Sequence, residues 1–151
     1  MAIQYIKKPR DVRFSKRIIL PNDTKEVPTL TAFVDEVCEA VGFDAALTMK
    51  MNLAIEEAVV NVMEYAYPRG THGDITVEAQ ANDVRLKFTI IDSGTHFDPT
   101  AQAEVDTTLS AEDRPIGGLG IHIVRQYMDS INYERISGHN VLTLRKKLLP
   151  S

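Results

Sequence analysis

The run LAIEEAVVN, from Leu53 to Asn61, decides the fold of this chain because it lies at the centre of the clearest helical pattern in the sequence. Asp44 is a good N-cap and Pro68 interrupts the pattern, so the sequence predicts a long helix from Asp44 to about Tyr67. One apolar stripe runs along this helix, formed by Leu47, Met51, Ile55, Ala58 and Val62.

Two polar residues of this run, Glu57 and Asn61, stand four positions apart, so their side chains lie one turn apart on the same helix face. The carboxylate of Glu57 can take a proton from a hydroxyl or water. The amide oxygen of Asn61 is a hard, neutral ligand of the kind that Mg²⁺ accepts alongside phosphates. The alternative is an ordinary exposed polar pair, and spacing alone does not separate the two interpretations.

Glu56 competes with Glu57 for the same role. Apolar residues border the line through Glu57 and Asn61, whereas Glu56 lies about 100° away around the helix. The line that borders the core is therefore the one through Glu57. The bordering residues are Ala54, Ala58 and Val62.

A second candidate element, Ile90–Pro99, ends an apolar strand with the sequence IIDSGTHFDP. Asp92 stands at the strand terminus, where its carboxylate can accept a hydrogen bond from an exocyclic amine such as that of adenine. Gly94 has no Cβ and lets the backbone and a ring approach closely. The alternative is an Asp-Ser-Gly turn without a ligand.

A third candidate element, Pro115–Gly120, has the sequence PIGGLG and runs directly into a predicted helix. Exposed amide groups at a helix N-terminus, with glycines that allow close approach, suit phosphate oxygens. The element is not a Walker motif, since no Gly-Lys-Ser/Thr follows. It is not a dinucleotide fingerprint either, since Ile123 stands where the last glycine would be. Taken alone, such a turn does not establish a phosphate site.

Hydrophobic periodicity predicts the order β-α-α-β-β-loop-α-β-β in one domain spanning residues 1–151. A helix capped by Asn22 or Asp23 ends at Gly42, and Ser93 to Gly120 is a long connection typical of a functional lid. Strands joined by short turns imply an α+β fold. We expect a two-layer α/β sandwich in which three helices cover one face of a mainly antiparallel mixed sheet. The predicted strands are residues 12–20, 75–79, 84–91, 131–136 and 141–148.

Composition restricts the classes of function. The 151 residues are 44% hydrophobic and 25% charged, with a formal net charge of −4, which argues against a dedicated nucleic-acid binder. The one basic cluster, Arg145–Lys147, is interpreted as a charged strand end. Cys38 is the only cysteine, and the sequence shows neither a leader pattern nor an apolar run that could cross a bilayer, so we expect a cytoplasmic protein without membrane contact. The scattered histidines lack the spacing of a zinc site; they are His72, His96, His122 and His139.

The three candidate elements, in this order, resemble the N, G1 and G2 boxes of the GHKL superfamily of ATPases, which share the Bergerat-type ATP-binding fold. The superfamily includes gyrase, a heat-shock chaperone, the histidine kinases and mismatch-repair proteins. Leu53–Asn61 followed by Glu64–Tyr67 resembles the N box of the bacterial serine/threonine-kinase anti-sigma factors. Ile91–Gly94 with Phe97–Pro99 resembles their G1 box. The likeness extends from the first strand to Leu148.

This resemblance implies a site for ATP and Mg²⁺. It makes Glu57 the catalytic base, Asn61 the Mg²⁺ ligand and Asp92 the acceptor of the adenine amine. Gly94 would shape the adenine pocket, and Phe97 is counted among the nucleotide contacts. The other implied contacts are Gly118, Leu119 and Gly120 near the phosphates and Thr143 near the adenine.

The resemblance also implies partners, namely a sigma factor and a small anti-anti-sigma protein that accepts phosphate on serine or threonine, and it suggests a homodimer. Three residues depart from the family pattern: His96 replaces Gly or Pro, Gly117 replaces a frequent arginine, and Tyr65 stands where several relatives have histidine. These departures leave open a switch that binds ATP and a partner without efficient phosphotransfer. A structural α+β interaction domain is a further alternative. A histidine-kinase catalytic domain is disfavoured by Glu57 and by the lack of room for a phosphoacceptor helix pair.

Overall fold

The computed structural model describes residues 12–101 and 118–148 of the chain. The described strands are β1 (Phe14–Pro21), β2 (Asp74–Ala81), β3 (Arg85–Asp92), β4 (Ser130–Ile136) and β5 (His139–Lys147). The described α-helices are α1 (Val27–Val41), α2 (Ala45–Tyr65) and α3 (Gly118–Tyr127). Short 3-10 turns lie at Thr24–Glu26 and Pro99–Ala101. The order of strands and helices is the one that the sequence predicts.

Helix α1 begins later than the sequence indicates. Asp23 caps the 3-10 turn instead of the α-helix, and its Oδ1 accepts a hydrogen bond from the backbone N–H of Lys25 at 2.9 Å. The α-helix starts at Val27, and the fixed φ of Pro28 suits the first turn. It ends before Gly42, as predicted, where a φ of 82° places the backbone in the left-handed conformation that glycine adopts readily.

Helix α2 follows its predicted pattern closely. The carboxylate of Asp44 accepts a hydrogen bond from the backbone N–H of Leu47 at 2.8 Å and caps the helix. The helix ends at Tyr65, slightly before the predicted end at Tyr67. Its buried apolar residues are Met51, Ala54, Ile55, Ala58, Val59, Val62 and Met63.

The strands form one sheet in the order β1-β2-β3-β5-β4, and each of the described pairings is antiparallel. Both predicted hairpins, β2–β3 and β4–β5, are present. The second hairpin turns at Ser137 and Gly138, whose φ angles of 49° and 82° belong to a two-residue turn that matches strand twist. Because β5 pairs with β3, Asp92 at the end of β3 lies opposite Asn140 near the start of β5.

Side-chain alternation gives the sheet two different faces. Along β3, Leu86, Phe88 and Ile90 are buried, whereas Lys87 and Thr89 point to the other side. The helices cover the buried face, which makes the α+β two-layer sandwich that the sequence predicts. The other face of the sheet is not covered by a described helix.

The connection after β3 is described only in part. Residues 93–101 include the second 3-10 turn. Residues 102–117, most of the predicted lid, lie outside the described residues. None of the described helices has both the length and the apolar character that crossing a membrane requires.

Candidate functional site

One line of side chains on helix α2 leads from Glu57 to the loop that follows β3. Glu57, Asn61 and Tyr65 are spaced four residues apart and therefore lie along one helix face. Glu57 is half-buried and Asn61 is only 6% exposed. The ring of Tyr65 packs against the ring of Phe97, with 5.7 Å between centroids. The polar pair predicted on the helix thus lies on the face that meets this loop.

The loop after β3 is fixed directly to the C-terminal end of α2. The backbone N–H of Thr95 donates to the carbonyl oxygen of Ala66 at 2.6 Å, and the backbone N–H of Ser93 donates to the hydroxyl of Tyr67 at 3.1 Å. A Cβ on Gly94 would collide with the backbone carbonyl of Ala66. Gly94 is therefore needed for the loop to approach the helix this closely.

Asp92 ends β3 on the helix-covered face and is 2% exposed. Its Oδ1 accepts hydrogen bonds from the backbone N–H of Gly94 and from Nδ2 of Asn140, each at 2.8 Å. Its Oδ2 accepts no hydrogen bond from the described residues. A carboxylate that is held through one oxygen can use its other oxygen to accept a hydrogen bond from an exocyclic amine.

Asn140 joins β5 to this loop, and the sequence analysis did not identify it. Its Nδ2 also donates to the carbonyl oxygen of Thr95 at 2.8 Å, and its Oδ1 accepts from the backbone N–H of Phe97 at 3.2 Å. Two side chains of β4 donate to the same oxygen, the hydroxyl of Tyr133 at 2.5 Å and the guanidinium of Arg135 at 3.1 Å. Through these hydrogen bonds, the buried side chain of Asn140 connects the end of β3, the loop that follows it and β4.

A sequence signal for Asn140 exists in the alternation of β5. Asn140, Leu142 and Leu144 occupy successive inward positions and are all buried. The last predicted strand starts only at Val141, so Asn140 falls in the predicted connection before it.

The structure does not bring Thr143 together with Asp92. Thr143 occupies an outward position of β5 and lies opposite Thr89 on the uncovered face of the sheet. Asp92 lies on the covered face, at the rung of Asn140. The predicted contact of Thr143 with the adenine therefore conflicts with the alternation of β5, and Asn140 occupies the neighbouring position in its place.

Gly118, Leu119 and Gly120 form the first turn of α3. The preceding residues of the predicted phosphate-binding element, 115–117, lie outside the described residues. Helix α3 packs against α2, and Lys50 Nζ of α2 lies 5.8 Å from the ring centroid of Tyr127 at the end of α3.

Burial changes the acidity of both carboxylates. Partial burial raises the pKa of Glu57, and the negative charges of Glu56 and Glu64 raise it further. Burial also raises the pKa of Asp92, although the hydrogen bonds from Asn140 and Gly94 and the nearby charges of Arg135 and His139 lower it in part. Carboxylates with a perturbed pKa are typical of functional sites.

A cleft of about 570 Å³ adjoins this region and was not found from the sequence. It lies between the β1–α1 connection and the segment that follows α2, and Tyr67 separates it from the loop after β3. The cleft shares Glu64 with the helix face that carries Glu57. The concave surface at this end of the sheet is thus wider than the predicted nucleotide site.

The described residues fit a nucleotide with Mg²⁺. The side chain of Asn61 offers an amide oxygen, a hard donor that Mg²⁺ accepts, and Glu57 offers a carboxylate one turn away that can accept a proton. From Ala66 at the loop, Asn61 lies about 7.5 Å and Glu57 about 13.5 Å back along the helix axis. Glu57 and Asn61 are therefore set back along the helix from the loop that carries Asp92.

Residues 20–146 of the chain match the family of histidine kinase-like ATPase domains. The serine/threonine-protein kinase BtrW of Bordetella bronchiseptica is 28% identical over 108 residues, which cover 72% of this chain and 76% of that protein. The anti-sigma F factor of Clostridium beijerinckii is 23% identical over 147 residues, covering 97% and 92% of the two chains. The serine-protein kinase RsbW of Bacillus cereus is 27% identical and covers 86% of this chain and 84% of its own length.

Among solved structures, the fold is similar to a crystal structure of RsbU and RsbW domains from Mycobacterium tuberculosis. The TM-score is 0.62 at 19% sequence identity. The match covers 88% of this chain and 32% of that longer chain, so this chain corresponds to about a third of it. At this identity the likeness concerns the fold.

Proposed function

The chain belongs to the family of histidine kinase-like ATPase domains, and on that premise we propose that it is an ATP-binding anti-sigma regulator that phosphorylates a serine or threonine of an anti-anti-sigma partner. The observation that carries this proposal is the face of α2 on which half-buried Glu57 precedes buried Asn61 by one turn and leads to the loop of Asp92. The names of the relatives, serine kinases and an anti-sigma factor, support the same activity.

Base recognition is assigned to the end of β3. In this proposal Oδ2 of Asp92 accepts a hydrogen bond from the exocyclic amine of adenine, while Asn140 and Gly94 hold Oδ1. Gly94 shapes this end of the proposed site because the absence of a side chain lets the loop lie against Ala66. Phe97, packed on Tyr65, forms the apolar wall of this end of the site.

Metal and phosphate recognition is assigned to α2 and to the start of α3. Asn61 would hold Mg²⁺ through its amide oxygen, and the first turn of α3, Gly118–Gly120, would face phosphate oxygens with its free amide groups. When bound, Mg·ATP supplies the phosphoryl group and the charge neutralisation that such transfers need.

Glu57 is proposed as the general base. A serine or threonine hydroxyl must lose its proton during transfer, and the Glu57 carboxylate can accept it. Burial and the neighbouring acids raise the pKa of Glu57 toward the working pH, which improves a carboxylate as a proton acceptor. A histidine acceptor would not need such a base, so Glu57 supports a hydroxyl substrate.

The partners follow from the relatives and not from a surface of this chain. A sigma factor and a small anti-anti-sigma protein are the proposed partners, because one relative is named an anti-sigma F factor and others are named serine-protein kinases. The second candidate, a binding switch with poor phosphotransfer, keeps the same nucleotide site.

Incubation with γ-labelled ATP, Mg²⁺ and a candidate acceptor protein tests the proposal. A kinase should label the acceptor on serine or threonine, and Glu57→Gln should abolish the label while ATP still raises the midpoint of thermal unfolding. ATP binding without label would favour the switch. Absence of any midpoint shift at millimolar Mg·ATP would overturn both functions.

A further inference from the structure

The face of the sheet opposite the helices carries a cluster of cations that the proposed nucleotide site does not use. Arg85 and Lys87 of β3 lie directly opposite Lys147 and Arg145 of β5 in the strand register. Side chains paired in this way have Cβ atoms about 4.5–5.5 Å apart, so like charges face each other at two successive outward positions. These four residues are called the basic face below.

The basic run near the end of β5 contributes only two of its three residues to the basic face, because successive side chains of a strand point to opposite sides of the sheet. In the run Arg145–Lys147, Lys146 points to the helix side, where its Nζ lies 3.8 Å from Oδ1 of Asp129. Its two neighbours point outward and meet the cations of β3. Among the ion pairs of the described residues, none includes a member of the basic face.

The immediate surroundings do not neutralise the basic face. On the rung of Lys87 and Arg145, the outward neighbours in the sheet are Gln80 of β2 and Ser130 of β4. Glu78, an outward acid of β2, lies one rung away opposite Thr89, and Asp83, two residues before Arg85, is paired with Arg13. The polar groove of about 200 Å³ on this face is lined by Gln80, Ala81, Asn82, Arg85, Lys87 and Arg145.

Uncompensated like charges on opposite strands reduce the stability of a sheet, and this chain has no general excess of cations, since its net charge is −4. We propose that the basic face is a docking surface for an acidic, extended segment of a partner protein. Charge complementarity defines the occupant. Alternate side chains of an extended segment are about 6.6 Å apart, the same spacing as successive outward positions of β3 and β5, so acidic residues at every second position can reach cations on both rungs.

A nucleic acid is a poorer fit. Single strands are usually held by aromatic side chains that stack on bases, and no outward residue of the described strands is Phe, Tyr or Trp. The negative net charge of the chain also repels a long polyanion.

The surface can be tested separately from the nucleotide site. Arg85 and Asp92 are the first and last residues of β3, about 23 Å apart along the strand, and their side chains point to opposite faces. Substitutions on the basic face are therefore expected to leave the ATP-induced rise of the unfolding midpoint unchanged.

The experiment measures binding of a fluorescein-labelled twelve-residue peptide of alternating Glu and Ser by fluorescence anisotropy. The full chain should bind this peptide in a salt-dependent manner and should not bind the matched Gln-Ser peptide. The double variant Lys87→Gln/Arg145→Gln should weaken binding about tenfold. It should also raise the unfolding midpoint because it removes an opposed pair of like charges.

The matched control is Lys25→Gln/Arg69→Gln, which removes two exposed charges elsewhere and should change peptide affinity less than about twofold. If both double variants weakened peptide binding equally, the binding would depend only on the net charge of the chain, and the proposal would be overturned. Failure of the wild-type chain to bind the Glu-Ser peptide would overturn it too, as would tighter binding of a dT12 oligonucleotide than of the peptide.

Discussion

The side-chain amide of Asn140 donates a hydrogen bond to the carboxylate of Asp92, with 2.8 Å between Nδ2 and Oδ1. This contact joins the start of β5 to the end of β3 at the centre of the proposed base-binding site. Asn140 in turn is held by Tyr133 and Arg135 of the edge strand β4. The carboxylate proposed to read the base is therefore positioned by two further strands.

Asn140→Leu removes this connection without a large change in volume. The donors and acceptors left behind in the buried site should cost about 1–3 kcal/mol of unfolding free energy. The pKa of Asp92 should rise further, because the Asn140 hydrogen bond lowers it. Urea unfolding measures the loss of stability, and the pH dependence of the unfolding free energy measures the rise in the pKa of Asp92. Asn132→Leu, at an exposed position of β4, is the control, and equal losses in both variants would contradict the role of Asn140.

Asp92→Asn should separate stability from binding. Burial raises the pKa of Asp92 in the folded protein, so the folded state keeps the proton to a higher pH than the unfolded state does. The contribution of Asp92 to stability is therefore largest below its ordinary pKa of 3.8 and is lost as the pH rises through the raised, folded value.

Asparagine avoids this loss and keeps Oδ1 as an acceptor for Gly94 and Asn140. The free Asp92→Asn variant should therefore unfold at a higher temperature than the wild type at pH 7, yet show no further rise with Mg·ATP. Differential scanning calorimetry with and without nucleotide measures both. A preserved ATP response would remove Asp92 from the base-binding site.

Glu57 should set the acid limb of the pH–rate profile for phosphotransfer. The base must be deprotonated, so activity should fall as the pH drops through a pKa above the ordinary glutamate value of 4.5. Glu64→Gln removes one of the negative charges that raise this pKa, so it should move the acid limb to lower pH. Initial rates between pH 4 and 8 test this, and an acid limb that moves upward in Glu64→Gln would be incompatible with the assignment.

Gly94→Ala should damage the site through the backbone. The added Cβ would meet the carbonyl of Ala66, so the loop must move away from α2 and weaken the hydrogen bond from Thr95. We expect a loss of about 1–3 kcal/mol in stability and a smaller ATP-induced midpoint shift. Ser93→Ala, at the exposed neighbouring position, should change stability by less than about 0.5 kcal/mol. A Gly94→Ala protein as stable as Ser93→Ala would show that the close approach is not required.

Cys38 should report on unfolding. Burial raises the pKa of its thiol to about 11, while a hydrogen bond with Thr48 lowers it and the charge of Asp35 raises it. Because the thiolate is the reactive form, native protein at pH 8 should react with a thiol reagent only when the core opens. Reaction at the rate of a free thiol in the absence of denaturant would place Cys38 outside the core.

The local features of the fold could be predicted from the sequence because they depend on neighbouring residues. Asp44 and Gly42 mark helix ends by capping and by left-handed backbone geometry, and the stripe on α2 follows from helical periodicity. The position of β5 between β3 and β4 is a nonlocal pairing that no short pattern encodes. For that reason the partnership of Asn140 with Asp92 was missed.

The candidate site shows the same limit. Glu57 and Asn61 could be placed on one helix face from their spacing alone. Thr143 could not be placed correctly without the inward and outward positions of β5, which are fixed only by the buried partners Leu142 and Leu144. Whether Gly118–Gly120 contacts phosphates stays a prediction.

Strands β3 and β5 carry the buried pair of Asp92 and Asn140 on one side of the sheet and a set of cations on the other, at alternating positions. Inserting or deleting a single residue at the start of β5 would reverse that parity, carrying His139 or Val141 inward and turning Asn140 toward solvent. Indels of two residues preserve parity and should be better tolerated in this hairpin. If the β4–β5 hairpin is transplanted into another scaffold, each residue must therefore keep its inward or outward position before any side chain is optimised.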